Sequence, residues 1–283
     1  CLRLGEETED VLISIRGRLM AGKRKDHFEA LEGRIAIVTG ASSGIGQAVC
    51  KVLLDFGVVV GALNRTEKGV PEGAQWLKSD VTNQDSVTRA VDGFMTALPE
   101  GKRHLDILVN NAGVSFVGTV EDGTEEDWKR IFDINVFGQM RVMRACLPHL
   151  RKAEAPSVII MSSCSAMNGV PDRALYSASK GATQALAMAM ASDLVKEGIR
   201  VNSLSPATVN TPFMDEIIKR ADDPQGRARQ FSERQATCKM IEPDELGLAV
   251  AYMAHPANQS LTGTTIEVDG GMKMLRTPRQ FGA

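Results

Sequence analysis

The sequence has no apolar run approaching the ~20 residues that a membrane-spanning helix needs. Stretches such as Val58–Leu63 and Asp106–Val109 have the length of buried strands. Net charge is also scarce, −2 with a pI of about 6.2, so no basic field draws the chain to nucleic acid or to an anionic membrane. Its five cysteines, Cys1, Cys50, Cys146, Cys164 and Cys238, contain no CxxC pair, and they define neither a disulfide framework nor a zinc site. An odd, unpaired set of thiols suits a reducing cytoplasm. No metal is expected.

What is present is size and rhythm. At 283 residues the chain can bury a full core. Residues 1–31 differ from the rest: Glu6, Glu7, Glu9 and Asp10 precede an apolar patch (Val11, Leu12, Ile13, Ile15), and Lys23, Arg24 and Lys25 follow it. A secretory signal would put the basic residues first, and a mitochondrial presequence would lack the acids. The segment reads as an amphipathic or disordered leader, with Met20 a candidate initiator, and residues 32–283 read as one domain.

Within that domain short apolar strands alternate with helical periodicity. Arg34–Thr39, Val58–Leu63, Gln75–Ser79, Asp106–Val109, Val158–Met161, Arg200–Leu204 and Thr264–Val268 read as strands. Helices fall between them at Gly44–Phe56, through Val87, Val91 and Phe94, at Glu125–Arg151 as one long helix or a pair, at Leu175–Lys196 and at about Asp244–Ala254. Strands that are apolar on both faces and alternate with helices imply an α/β fold: a single doubly wound parallel sheet of about seven strands, with helices on both faces. Ligands in such a sheet sit beyond the carboxyl ends of the strands.

Three motifs fall at those ends. Thr39-Gly40-Ala41-Ser42-Ser43-Gly44-Ile45-Gly46 links the first strand to the first helix, where glycines permit close backbone approach and a helix N-terminus attracts a pyrophosphate. The second strand ends at Asn64-Arg65 rather than at an acid. Without a carboxylate to take the ribose 2′-hydroxyl, and with a guanidinium able to pair a 2′-phosphate, NADP is favoured over NAD. Ser43, in a place where a basic residue would strengthen that preference, leaves both open. Ser163 stands thirteen residues before Tyr176, and Lys180 stands one helical turn after it. Residues four apart share a helix face, and a cation within ~4–6 Å of a phenol favours the phenolate. Tyr176 could then exchange a proton with a hydroxyl or carbonyl oxygen that Ser163 also holds.

From Gly33 to Gly271 these features together resemble the short-chain dehydrogenase/reductase family. The likeness rests on the glycine turn at 39–46, Asp80-Val81, Asn110-Asn111-Ala112-Gly113, Asn135, Ser163, the Tyr176/Lys180 pair and the stretch Pro206 to Thr211, in order and spacing. The resemblance implies a Rossmann-type fold and hydride transfer between a nicotinamide and a secondary alcohol or ketone. It implies that Gly40, Ser42, Ser43, Gly44, Ile45, Asn64 and Arg65 hold the adenosine and phosphates, that Asp80 and Val81 contact the adenine, and that Asn110, Ala112 and Gly113 pass beside the ribose. Lys180 would bind the nicotinamide ribose and acidify Tyr176, Asn135 would hold a water in a proton relay, and Val209 and Thr211 would fix the carboxamide. Ala207 departs from the family, which usually has glycine there.

The segment of about 208–240 is expected to be a substrate lid. Its run Pro224, Phe231, Arg234, Gln235, together with Arg173, resembles the branch of the family that acts on small hydroxy acids and sugar-derived acids, including type-2 3-hydroxybutyrate dehydrogenase. Arg173 and Arg234 would then hold a substrate carboxylate beside Ser163 and Tyr176. A further basic contact of that branch falls on Ile217. Two other readings stay open: a reductase of a bulkier apolar ketone of steroid or 3-oxoacyl type, lined by Met167, Phe213 and Met214, and a catalytically silent nucleotide-binding scaffold. The resemblance also implies a homodimer or homotetramer built on the two long helices, whose apolar residues fall on more than one side (Phe137, Met140, Met143 and Leu147; Leu186, Met188, Met190 and Leu194).

Overall fold

The computed structural model describes residues 28–275, so most of the expected leader, residues 1–27, lies outside the described residues. Its last residues already belong to the body: Leu31 is fully buried, and the Phe28 ring lies 4.6 Å from that of Phe56.

Seven strands form one sheet in the order β3-β2-β1-β4-β5-β6-β7, every neighbouring pair parallel. They are β1 (Ile35–Thr39), β2 (Val59–Asn64), β3 (Gln75–Lys78), β4 (Ile107–Asn110), β5 (Ser157–Met161), β6 (Arg200–Pro206) and β7 (Thr265–Val268). The central strands are buried along their whole length, which is why they read as continuous apolar runs and not as alternating ones. Side chains still alternate across the sheet. Ala36, Val38, Ile107, Val109 and Ile159 pack beneath α1 (Gly44–Asp55) and α8 (Pro243–Ala254). Ile35, Ile37, Leu108, Val158 and Ile160 face the opposite layer of α2 (Gln84–Ala97), α4 (Gly138–Leu150) and α5 (Ala174–Leu194).

Local chemistry sets where helices begin. Asn83 accepts a hydrogen bond from the Ser86 N–H at the start of α2, and Thr124 and Asp127 form a reciprocal capping box on α3 (Glu125–Phe132). The expected long helix at 125–151 divides into α3 and α4, joined by a π turn over Asp133–Phe137 that carries Asn135. The lid holds α6 (Pro212–Lys219) and α7 (Pro224–Glu233), each opened by its proline. Among the described residues no helix is long and apolar enough to cross a membrane, and no cluster of three His, Cys, Asp or Glu side chains could hold a metal.

Candidate active site

Beyond the carboxyl edge of β1 the chain turns at Gly40 (φ +65°) and enters α1 at Gly44 (φ +51°), conformations that favour glycine. Gly46 has a different reason to lack a side chain: an added Cβ would stand 2.3 Å from the Gly40 carbonyl oxygen. Thr39 and Asn111 stitch this turn to the end of β4. The Thr39 hydroxyl accepts from the N–H groups of Asn111 (2.9 Å) and Ala112 (2.8 Å), and Asn111 Nδ2 donates to the Thr39 carbonyl at 2.9 Å. Asn111 sits in the motif read from the sequence, but its tie to the turn emerges only in three dimensions.

Asn64, at the end of β2, accepts from the Ala41 N–H at 2.6 Å through Oδ1, while its buried Nδ2 has no partner. Asn110 likewise leaves a buried Oδ1 unpaired. Ser43 occupies the N-cap of α1 and makes no capping bond, so the first-turn N–H groups of that helix receive no side-chain oxygen from it. An uncapped helix start, a glycine turn with no room for side chains and two orphaned buried amides fit a dinucleotide. Asp80 is already turned inward, accepting from Thr82 N–H (2.9 Å) and Oγ1 (2.8 Å), and the Thr82 N–H bond leads in holding its carboxyl below the usual range. Val81 sits against Gly138, where a Cβ would meet its side chain at 3.1 Å. Thr211 stands at the N-cap position of α6 without a capping bond, and its side chain lies beside Gly44, so the glycine turn and the Val209–Thr211 loop adjoin. Ala207 is accommodated without a left-handed backbone, and its N–H donates to the Val268 carbonyl at 3.3 Å.

The loop after β2 is fastened to the same turn, which the sequence did not signal. Gly69 (φ +90°) lies so near Ser42 that an added Cβ would be 2.2 Å from its carbonyl oxygen, and Gln47 Nε2 donates to the Gly69 carbonyl at 2.7 Å. Arg65 is exposed on this loop and acts electrostatically on Asp80.

Ser163, Tyr176 and Lys180 meet beyond the end of β5. Ser163 lies close enough to Tyr176 to favour its phenolate, and it accepts from Ser165 Oγ at 3.0 Å. Lys180 is buried and reaches back to donate to the Met161 carbonyl at 2.8 Å, with Nζ 5.8 Å from the centre of the Tyr176 ring. Burial pushes its pKa down to about 8. Burial raises the Tyr176 phenol above its ordinary value, Ser163 and Arg173 oppose this, and Lys180, bonded to the Met161 carbonyl, is not among the groups that act on it here. Desolvation outweighs them, so Tyr176 is held as a neutral phenol.

Asn135 is fully buried, and its side chain bonds through both Nδ2 donors and through Oδ1. Oδ1 accepts from the Val114 N–H (2.8 Å), and Nδ2 donates to the Val114 carbonyl (2.9 Å) and to Ser179 Oγ (3.0 Å), which itself donates to the Tyr176 carbonyl (2.8 Å). Gly113 lies in the same corner, where a Cβ would come 3.1 Å from Asn135 Oδ1 and 3.6 Å from Lys180 Nζ.

Beside this corner lies a cleft of about 330 Å³ whose wall contains Arg173, Arg220, Arg227 and Arg234. Arg173 donates to the Phe116 carbonyl at 3.3 Å, and Arg234 lies 4.8 Å over the Phe231 ring. Gln235 holds the lid in place, donating to the carbonyls of Phe231 (3.1 Å) and Lys239 (2.9 Å) and accepting from the Thr208 N–H (3.4 Å). Ile217 is on the wall, and Arg220, three residues further along α6, lines the same cleft. The basic wall is therefore fuller than the sequence indicated.

A family model described as enoyl-(acyl carrier protein) reductase matches residues 40–273. The chain is 33% identical over 250 residues to dehydrogenase/reductase SDR family member 6 of Rattus norvegicus, an alignment covering 86% of this chain and 99% of that protein. It is 35% identical over 248 residues to the cyclopentanol dehydrogenase of Comamonas sp. strain NCIMB 9872, covering 84% and 96%. Ligand-free aldohexose dehydrogenase from Thermoplasma acidophilum has the same fold with a TM-score of 0.82 at 29% identity, over 89% of this chain and 98% of that one. The chain belongs to the short-chain dehydrogenase/reductase family. It is an oxidoreductase of CH–OH groups that uses NAD or NADP on a small-molecule substrate.

Proposed function

We propose that this enzyme interconverts a small hydroxy acid and its oxo acid, with NADP preferred over NAD, in the cytoplasm and as a homodimer or homotetramer. The observation that carries the substrate class is the arginine cleft next to Tyr176: Arg173 and Arg234 are cations with no carboxylate paired to them among the described residues. A bulky apolar ketone would leave those charges desolvated and unanswered.

The nicotinamide supplies the hydride chemistry. The protein supplies position and protons. Ser163 holds the reacting oxygen, and Tyr176 exchanges the proton with it. A neutral phenol is the form that ketone reduction requires, since it protonates the developing alkoxide. Alcohol oxidation requires the phenolate, so oxidation gains relative to reduction as the pH rises. Lys180 and Asn135 fix the start of α5 and thereby the phenol. The uncapped start of α1 takes the pyrophosphate, Asp80 and Val81 bound the adenine, and Asn110, Ala112 and Gly113 line the ribose. Val209 and Thr211 close over the nicotinamide end. Arg65 favours the 2′-phosphate because no acid stands beside it at the end of β2.

The apolar side chains that favour self-association are Phe137, 48% exposed before α4, and Met188, 52% exposed on α5. Met143 and Leu194, also expected there, are spent inside the monomer.

The substrate reading is tested with Arg173→Ala across a panel of hydroxy acids and neutral alcohols. KM for the acids should rise about tenfold or more while neutral alcohols are little affected, as loss of one charge-assisted pair requires. Equal changes for both classes would refute it.

A further inference from the structure

We propose that the substrate carries two negative charges on its bound head, as a dicarboxylate or a phosphate monoester does, and that the lid arginines Arg220 and Arg227 recognise the second charge. The inference rests on the anionic-substrate reading above and extends it from one charge to two.

The cleft is over-supplied with cations for a monoanion. Four guanidinium groups line it against one carboxylate, Asp172. Arg220 has one exposed partner, Glu216, at 3.6 Å. The other three have no acid paired to them. Arg173 donates only to the carbonyls of Phe116 and Asp172, Arg227 donates to the neutral amide of Gln230 at 2.7 Å, and Arg234 rests on Phe231. After Asp172 and Glu216 are set against the four arginines, two positive charges remain uncompensated.

These charges feel one another. The Arg234 pKa is lowered, first by burial and then by Arg173 and Arg227. Arg227 and Arg234 share one anchor, lying 5.8 and 4.8 Å from the centre of the Phe231 ring, and Phe231 is itself only 3% exposed. The cluster is thus held together by packing against its own repulsion, an arrangement that an anion of matching charge relieves.

Geometry divides the four into two pairs. Arg173 lies at the foot of α5, near enough to act on Tyr176, and Arg234 acts on Cys164 beside Ser163. This pair suits the carboxylate next to the reacting carbon. Arg220 follows the end of α6 and Arg227 lies in the first turn of α7, so the second pair, like Arg234, comes from the lid but from its outer turns. A ligand that spans both pairs engages α6 as well as α7, whereas a monoanion held by Arg173 and Arg234 reaches only the inner pair.

The test uses the full chain saturated with cofactor, at pH 7.5 and fixed ionic strength, with binding read by calorimetry and by the shift in melting temperature. The probes are propionate as the monoanion, succinate as the dicarboxylate and methyl phosphate as the phosphate monoester. At least one dianion should bind about tenfold or more tightly than propionate, and Arg220→Gln/Arg227→Gln should reduce that advantage to less than about threefold. Whichever of succinate and methyl phosphate shows the advantage identifies the head group. Arg220→Lys/Arg227→Lys should keep much of the advantage, because it keeps the charge. Propionate binding as tightly as both dianions would overturn the inference and leave the anionic-substrate reading intact. An advantage that survives the double glutamine variant would overturn the role of the lid arginines. If none of the three anions binds, both readings fail together.

Discussion

The two edges of the sheet treat charge in opposite ways. At the amino edge the charged groups are bonded within the protein, although the buried Nε atoms of Arg34 and Arg200 find no partner among the described residues. Arg34 stands 3.0 Å from the Asp106 carboxylate, Asp106 also accepts from the Ile35 N–H at 2.8 Å, and the buried Arg200 closes the last turn of α8 by donating to the carbonyls of Met253, Ala254 and His255. At the carboxyl edge polar groups are left waiting: Asn64 Nδ2 and Asn110 Oδ1 have no partner, the N-cap of α1 makes no side-chain bond, and three arginines face a cleft without an acid paired to them. The amino edge directs its charged groups mainly to carboxylates and carbonyls of the protein itself, and the carboxyl edge leaves more of them open to a ligand.

The contrast is sharpest at Tyr176. Replacing it with Phe should lower kcat about 10³-fold with the fold intact by circular dichroism, since a positioned acid–base group contributes roughly 10²–10⁴. A variant within tenfold of the parent would remove Tyr176 from proton transfer. The matching change at the other edge, Asp106→Ala, should cost about 3 kcal/mol of unfolding free energy and leave kcat at 25 °C unchanged. The figure lies at the lower end for a broken buried pair because the carbonyls of Glu154 and Ala155 still accept from Arg34. Loss of activity in the folded variant would show that the edges are not independent.

Gly46→Ala tests the turn between them. Its Cβ would press on the Gly40 carbonyl, so dinucleotide affinity should fall about tenfold or more, with a stability loss of about 1–3 kcal/mol. Fluorescence titration of the reduced cofactor measures the first and urea unfolding the second.

The smallest effect concerns pH. Lys180 has a folded pKa of about 8 against an ordinary value of 10.5, so between those values the unfolded chain binds more protons and stability due to this group rises with pH. The buried thiols act in the opposite sense above about pH 9: Cys164 is raised to about 11, Cys50 to about 12 and Cys146 further still. The difference in melting temperature between the parent and Lys180→Met cancels the thiols. It should move in the parent's favour from pH 7.5 to 9.5, and a flat difference would mean that Lys180 stays protonated in its buried place with an ordinary pKa.

Periodicity made the sheet legible, because Ile35–Thr39 and Ser157–Met161 are buried on both faces and must be apolar throughout. Spacing made Tyr176 and Lys180 legible as neighbours on one helix face. It could not reveal that Lys180 would turn to the Met161 carbonyl, since that acceptor lies on another strand. Nor could it weigh burial against charge at the phenol. Arg220 and Arg227 looked like ordinary surface charges of two short helices, and only the folding of the lid over Arg173 brings all four guanidinium groups to one wall. The π turn at Asp133–Phe137 was hidden for a related reason: a continuous helical pattern does not mark where one extra residue enters a turn.

The fastening of Gly69 to Ser42 and Gln47 bears on attempts to change cofactor choice. A longer or shorter segment grafted after the second strand would pull on the pyrophosphate cradle as well as on the adenosine end, so redesign of selectivity should exchange side chains at Arg65 and its neighbours while keeping the backbone length and the glycine. In the proposed binding mode, discrimination between the two dinucleotides and grip on either of them are mechanically linked through the contacts of Gly69 with Ser42 and Gln47.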